Sequence, residues 1–233
     1  MLLLHEVHKV RGAKEDEFEA CFRDGWLPEL AKGDDARLLY FLHLAHGSGR
    51  AYEVTTVTAV RDGAAYDRLA ARVQDGDLRA LARDTDQVRH NVHGKVLLTV
   101  PWAPPIVDFD ETPTSPQHHE LTLFMEDTAW PHAGMLDDYL EAARTHYAPS
   151  ISDGKGRGIL ELLTVFQTAW GAGRRAEVVL WQRISDHDRL KNLLLTEVPP
   201  EYRAPGTWMH DALRVRDDWE SRLLRTTSWS PLS

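Results

Sequence analysis

The sequence predicts an α+β fold of two tandem β-α-β-β-α-β units, and three observations carry that prediction. One segment is written twice. Leu38, Leu39, Ala45, Gly47, Gly49, Arg50, Glu53 and Val54 recur 124 positions later as Leu162, Leu163, Ala169, Gly171, Gly173, Arg174, Glu177 and Val178. Two apolar runs joined by a tight glycine-containing turn make a β-hairpin, so each half carries the same hairpin. The ends of the halves also match: Leu97, Thr99, Trp102 and Pro104 align with Leu224, Thr226, Trp229 and Pro231 at a shift of 127. Between them, residues 103–117 are rich in proline and acid and read as a linker. The halves are then residues 1–102 and 118–233, a division made by looking for internal repeats first.

Each element follows from local pattern. Leu2 to Val10 is a strand candidate. In Lys14 to Lys32, Phe18, Cys21, Phe22, Trp26 and Leu30 recur at helical spacing. After the hairpin, Asp62 to Arg83 places Tyr66, Leu69, Val73, Leu78 and Leu81 at apolar positions of a second helix. In the second half the expected strand is His119 to Glu126 and the expected first helix Met135 to Tyr147. A second helix starts at Asp186, is broken by Pro199, Pro200, Pro205 and Gly206, and is expected to resume over Trp208 to Ser221. This order in each half is the ferredoxin-like one, with both helices on one sheet face. Two such units commonly bury their bare faces against each other, and a ligand site between the sheets is the expectation.

Composition narrows the function classes. The 233 residues carry 27 Lys+Arg against 36 Asp+Glu, a formal charge of −9, which disfavours nucleic acid or an anionic membrane surface as partner. No apolar run is long enough to span a bilayer, and MLLLHEVHK turns polar too early for a signal peptide. A single cysteine, Cys21, excludes an internal disulfide framework and any Cys-rich metal centre. A reducing, cytoplasmic compartment of a bacterium is expected. Self-association through outer edges or helices is compatible with the pattern.

The segments Val165-Phe-Gln-Thr-Ala-Trp-Gly171, Ala176-Glu-Val-Val-Leu-Trp-Gln182 and Asp186 to Leu190, with Trp219 to Pro231, resemble the NIPSNAP family of the dimeric α/β-barrel superfamily. The likeness covers most of 119–233 and, more weakly, 1–102. It implies that the antiparallel sheets of the two halves pair into a dimeric α/β-barrel-like arrangement. It transfers no catalytic motif. The wider superfamily includes cofactor-free oxygenases of polyketide metabolism, lactone isomerases and haem enzymes, so a place in bacterial specialised metabolism is one implication.

Twelve histidines and eight tryptophans supply the candidate chemistry. Strand side chains alternate faces, and the working choice puts His5, His43 and His93 on the cavity face, with His8 and His46 at the rim or surface. An imidazole titrates near neutrality, so these three are the expected general acid/base residues, oriented by Glu53. Phe41, Thr55, Gln167, Trp181 and Glu177 are the expected substrate contacts. The expected function is acid/base chemistry on an apolar or aromatic metabolite: isomerisation, dehydration, cyclisation or cofactor-free oxygenation. A non-catalytic binding protein is the alternative. No cofactor is predicted. Haem on a strand histidine, or a metal held by His5, His43 and His93 with Glu53, are the alternatives, since a His-x-x-His pair on a strand points to opposite faces and cannot chelate alone. Gly154-Lys-Gly-Arg-Gly158 lacks the phosphate-loop pattern and reads as a loop.

Overall fold

The first strand, β1 (Leu2–Val10), shows the alternation that sets the rest: Leu4, Glu6, His8 and Val10 face one way, Leu3, His5 and Val7 the other. The computed structural model describes residues 1–152, 158–172 and 175–233, which divide into two units. Unit 1 comprises Met1–Leu98, Pro105–Thr122 and Leu223–Ser233; unit 2 comprises Thr99–Pro104 and Leu123–Arg222. The expected Gly154–Gly158 loop lies outside the described residues except for Gly158.

In unit 1 the strands are β1, β2 (Ala36–Leu44), β3 (Glu53–Val60) and β4 (Arg89–Thr99), in the antiparallel order β4-β1-β3-β2. The first helical stretch is α1 (Glu15–Ala20), a π-helical turn over Cys21–Trp26 and α2 (Leu27–Ala31). The turn has a local cause. Pro28 has no N–H and its ring collides with the carbonyl four residues back, so the helix widens just before it. The second crossover is α3 (Gly63–Gln74), capped by Asp62 accepting from Ala65 N at 2.7 Å, followed by α4 (Arg79–Val88). Phe18, Phe22, Leu30, Phe41, Val54 and Leu69 form the core between helices and sheet. Residues expected to be a plain linker dock here instead: Phe109 is buried between the guanidinium groups of Arg37 and Arg61, at 4.9 and 4.2 Å from its ring centre. The last residues complete the unit, with Leu42, His43 and Leu44 pairing with Thr226, Arg225 and Leu224.

In unit 2 the strands are β5 (Leu123–Trp130), β6 (Leu160–Thr168), β7 (Val178–Ile184) and the start of β8 (Asp218–Thr226), in the order β8-β5-β7-β6. The first helix repeats the device of unit 1: α5 (Leu136–Ala142), a π-helical turn over Ala143–Tyr147, and α6 (Ala148–Ser152) with Pro149 two residues past the turn. The second crossover is short pieces, α7 (His187–Leu195), a 3-10 turn over Pro200–Arg203 and α8 (Trp208–Asp211). Two expectations are corrected. The strand lies at 123–130, not 119–126, because the His119 N–H and ring are taken by the Ser228 and Ser230 carbonyls, at 2.9 and 2.8 Å. Residues 208–221 are not one helix: helical structure stops at Arg214, and Trp219 and Ser221 belong to β8, where Ser221 bonds to Asp127 of β5.

His8 also departs from expectation. It is fully buried under α1, with its ring 5.1 and 5.5 Å from those of Phe18 and Phe22. It shares a hydrogen bond with Thr56 Oγ1 at 2.9 Å and accepts one from Arg89 Nη1 at 2.8 Å. Burial, then the Arg89 charge, pulls its pKa from the usual 6.5 down to about 3. Between those values the unfolded chain takes up a proton that the folded chain refuses. Stability is therefore whole above pH 6.5 and falls as pH drops toward 3. Replacing His8→Gln is expected to flatten urea-derived stability against pH below about 6.5, by up to about 1.4 kcal/mol per pH unit. Glu6, held protonated to higher pH, acts with the opposite sign, so the comparison with wild type isolates His8.

Among the described residues, no helix is long and apolar enough to cross a membrane.

Candidate functional site

The predicted residues do not converge. In unit 1, His5 pairs with Val57 and Lys95, Val7 with Thr55 and His93, and Lys9 with Glu53, so His5, Thr55, His93 and Glu53 share the face away from the helices. His43 does not join them. It pairs with Val54 and lies beside Phe41 on the helix face, 3.5 Å from Glu19 of α1. A break in the β2–β3 register between Leu38 and Tyr40 makes this parity unreadable from alternation alone. The three-histidine arrangement with Glu53, as base cluster or metal set, is thus split across the sheet. No group of three metal-ligating side chains occurs among the described residues. In unit 2, Trp181 and Glu177 lie on the face away from the helices, with Trp181 opposite Glu126 and Thr164, whereas Gln167 pairs with Val178 on the helix face.

A different constellation gathers in unit 2, under α5 and the broken crossover. The equivalents of unit 1 explain it. Register places Asp127 opposite Leu180 as Glu6 is placed opposite Thr56. Tyr139 and Tyr147 stand 121 residues after Phe18 and Trp26. The π-helical turn sets the stretch between the two tyrosines, and both rings pack on Trp208, at 5.8 and 5.1 Å between centres. The Tyr147 hydroxyl donates to Gln182 Oε1. Gln182 Nε2 donates to Asp127 Oδ2 at 2.8 Å, and the Ser221 hydroxyl donates to Asp127 Oδ1. Burial raises the Asp127 pKa against these hydrogen bonds and the Arg216 charge. Burial also lifts the Tyr139 hydroxyl to about 12 and pushes Tyr147 well above 10.

Asp127, Tyr139, Tyr147 and Trp208 wall a cavity of about 370 Å³, with Trp219, His210 and Arg216. Arg216 decides its character. It is only 8% exposed, its guanidinium sits 5.2 Å from the Trp219 ring centre and 5.9 Å from that of Trp208, and its Nε meets no acceptor among the described residues. No described carboxylate forms an ion pair with it. A buried cation with an unfilled donor, near a carboxyl of raised pKa and inside aromatic walls, suits a flat molecule that carries or develops negative charge on oxygen. Sequence reasoning missed Asp127, Tyr147 and Arg216. The pairs Asp16/Asp137 and Pro28/Pro149, identical at a shift of 121, were the available signal for the helix positions. Arg216 has no such signal.

No family model and no curated protein matches the chain. Solved structures do. A monooxygenase described as putative, from Lactobacillus acidophilus, aligns over 99% of this chain and 96% of its own, at TM-score 0.55 and 9% identity. An anthrone oxidase-like protein aligns over 97% and 91%, at TM-score 0.54 and 7% identity. A NIPSNAP domain protein from Burkholderia xenovorans matches 45% of this chain and all of its own, at 19% identity and TM-score 0.38. The full-length likenesses show the fold: the chain is of the ferredoxin-like, dimeric α/β-barrel type that its repeats predict.

Proposed function

We propose that the chain is a small-molecule enzyme that abstracts a proton from an enolisable aromatic substrate in the unit 2 cavity. The observation that carries this is one cavity holding both a carboxyl of raised pKa, Asp127, and a buried cation without an ion-pair partner, Arg216. Ionised Asp127 takes the proton. The C–H electron pair delocalises onto the substrate oxygen, and Arg216 stabilises the charge that develops there. Gln182 and Ser221 hold the carboxylate in place, and Tyr147 fixes Gln182. Trp208, Trp219 and the two tyrosines supply flat apolar surface. The histidines expected to do this work, His5, His43 and His93, are not among the residues that line this cavity. Every group the proton transfer needs is a side chain, so the reading requires no cofactor. Enzymes on small aromatic molecules among proteins of this fold, such as the anthrone oxidase-like one, are consistent with it.

The test uses anthrone, whose acidic C–H lies between two aromatic rings. Exchange of that position with deuterium is followed by NMR without oxygen. Wild type is expected to accelerate exchange, and Asp127→Asn to remove about 100-fold or more of the acceleration. No acceleration across a panel of anthrones and aryl β-diketones, or equal rates in Asp127→Asn, overturns the reading. So does a stoichiometric Soret band that His210→Ala abolishes, which would make the cavity a haem site.

A further inference from the structure

We propose a second ligand site, in unit 1, that binds an apolar small molecule carrying an amine. The helix-covered face of unit 1 encloses a cavity of about 310 Å³ between β1, the first helix and α3. Its wall is mostly apolar: Leu4, Trp26 and Leu69 are among the residues that line it, and the Trp26 ring is fixed by donation from Nε1 to Thr85 Oγ1 at 2.9 Å. One carboxyl faces this space. Glu6 is partly buried, and among the described residues it accepts no hydrogen bond and joins no ion pair.

The neighbours that would answer Glu6 are already engaged. Arg89, a cation that also lines the cavity, gives Nη1 to His8 Nδ1 at 2.8 Å and both Nε and Nη2 to Asp86, at 2.9 and 2.6 Å. His8 is held neutral. Gly94, opposite Glu6 on β4, offers no side chain. A carboxyl partly withdrawn from water without a partner is penalised when charged. A ligand ammonium set against it would restore both the charge balance and the missing donors, while its body fills the apolar space.

Comparison of the two units supports a separate role. Glu6 and Asp127 hold equivalent strand positions, but their surroundings have diverged. Where unit 2 has Tyr147 and Gln182 bonding toward its carboxyl, the same positions in unit 1 are Trp26 and Thr58. Unit 1 thus keeps the acid and loses its hydrogen-bond donors, and the equivalent of the network that orients Asp127 is missing. The site binds; it is not equipped for the proton transfer assigned to unit 2, and it stands or falls independently of that assignment.

The test compares three probes of one shape on the full chain by calorimetry: 2-phenylethylamine, 2-phenylethanol and 3-phenylpropanoate. The amine is expected to bind 1:1 and about tenfold or more tighter than the alcohol, with the carboxylate weakest. Glu6→Gln is expected to erase the amine preference while keeping alcohol binding. Ala70→Trp, which fills the cavity from α3, is expected to abolish binding of both without lowering the thermal midpoint. If none of the three binds, if the preference survives in Glu6→Gln, or if Ala70→Trp binds normally, the proposal fails. The last two outcomes would place any amine binding elsewhere in the chain.

Discussion

Replacing Arg216→Met is expected to raise the melting temperature while removing most of the activity. The two effects have one cause. Arg216 is 8% exposed, has a buried Nε without an acceptor, and has no ion-pair partner among the described residues. Keeping such a charge in a low-dielectric cavity costs folding free energy, and an apolar side chain of similar length in its place is stabilising by about 1–4 kcal/mol in comparable cases. Methionine also keeps contact with Trp208 and Trp219, so little packing is lost. In the proposed proton transfer the sign reverses. The substrate oxygen becomes negative as the proton leaves, and losing one preorganised donor to such an oxygen costs about 100- to 1,000-fold in rate. Differential scanning calorimetry and the anthrone exchange assay read the two quantities on the same sample. A variant that is both less stable and fully active would make Arg216 a structural residue and end the catalytic reading. Opposed changes are what a site built at the expense of stability gives.

The second large effect is on folding. Phe41→Ala is expected to lower unfolding free energy by about 3–5 kcal/mol, read from the urea midpoint. Phe41 is fully buried, and its ring meets those of Phe18, Phe22, His43 and Trp229 at 5.0 to 6.0 Å. It also ties in the C-terminal segment. The Phe41 N–H donates to Ser230 Oγ at 3.2 Å, and Trp229 Nε1 donates to Glu19 Oε1 at 2.6 Å. Removing the ring leaves a cavity among side chains from α1, β2 and the last residues, so little can collapse to fill it. Phe41→Leu, which keeps most of the volume, is expected to recover more than half of the loss. Equal stability of Phe41→Ala and wild type would contradict this core. The expected role of Phe41 as a substrate contact is replaced by this packing role.

The repeats made the architecture legible. Gly47 and Gly171 recur because both take the same left-handed backbone, with φ of 81° in each, and the flanking apolar runs recur because both form the strands of a hairpin. The break in the second crossover was also legible, since Pro199, Pro200, Pro205 and Gly206 cannot sit inside a helix. Strand parity was not. Burial of both faces blurs the apolar alternation that would mark one of them, and the bulge between Leu38 and Tyr40 shifts the count on β2. Alternation alone therefore groups His43 with His5 and sets His8 at the rim or surface, whereas His8 lies under α1. Residues 208–221 carry mixed apolar and charged positions that satisfy either period, and the contact of Ser221 with Asp127 decides for a strand.

The site was the least legible part. Asp127 lies in a strand that the sequence placed four residues too early, and Arg216 comes from a short connection with no repeat partner. Nothing in local pattern tells that their side chains enter one cavity. By itself the sequence determined the two β-α-β-β-α-β units and their hairpins, because backbone turns and apolar periods are properties of neighbouring residues. Only the tertiary structure decided which charged groups are deprived of water together. Desolvation and unmet hydrogen bonds arise from residues 89 positions apart in the chain, as Asp127 and Arg216 are, and become visible only once the chain has folded around them.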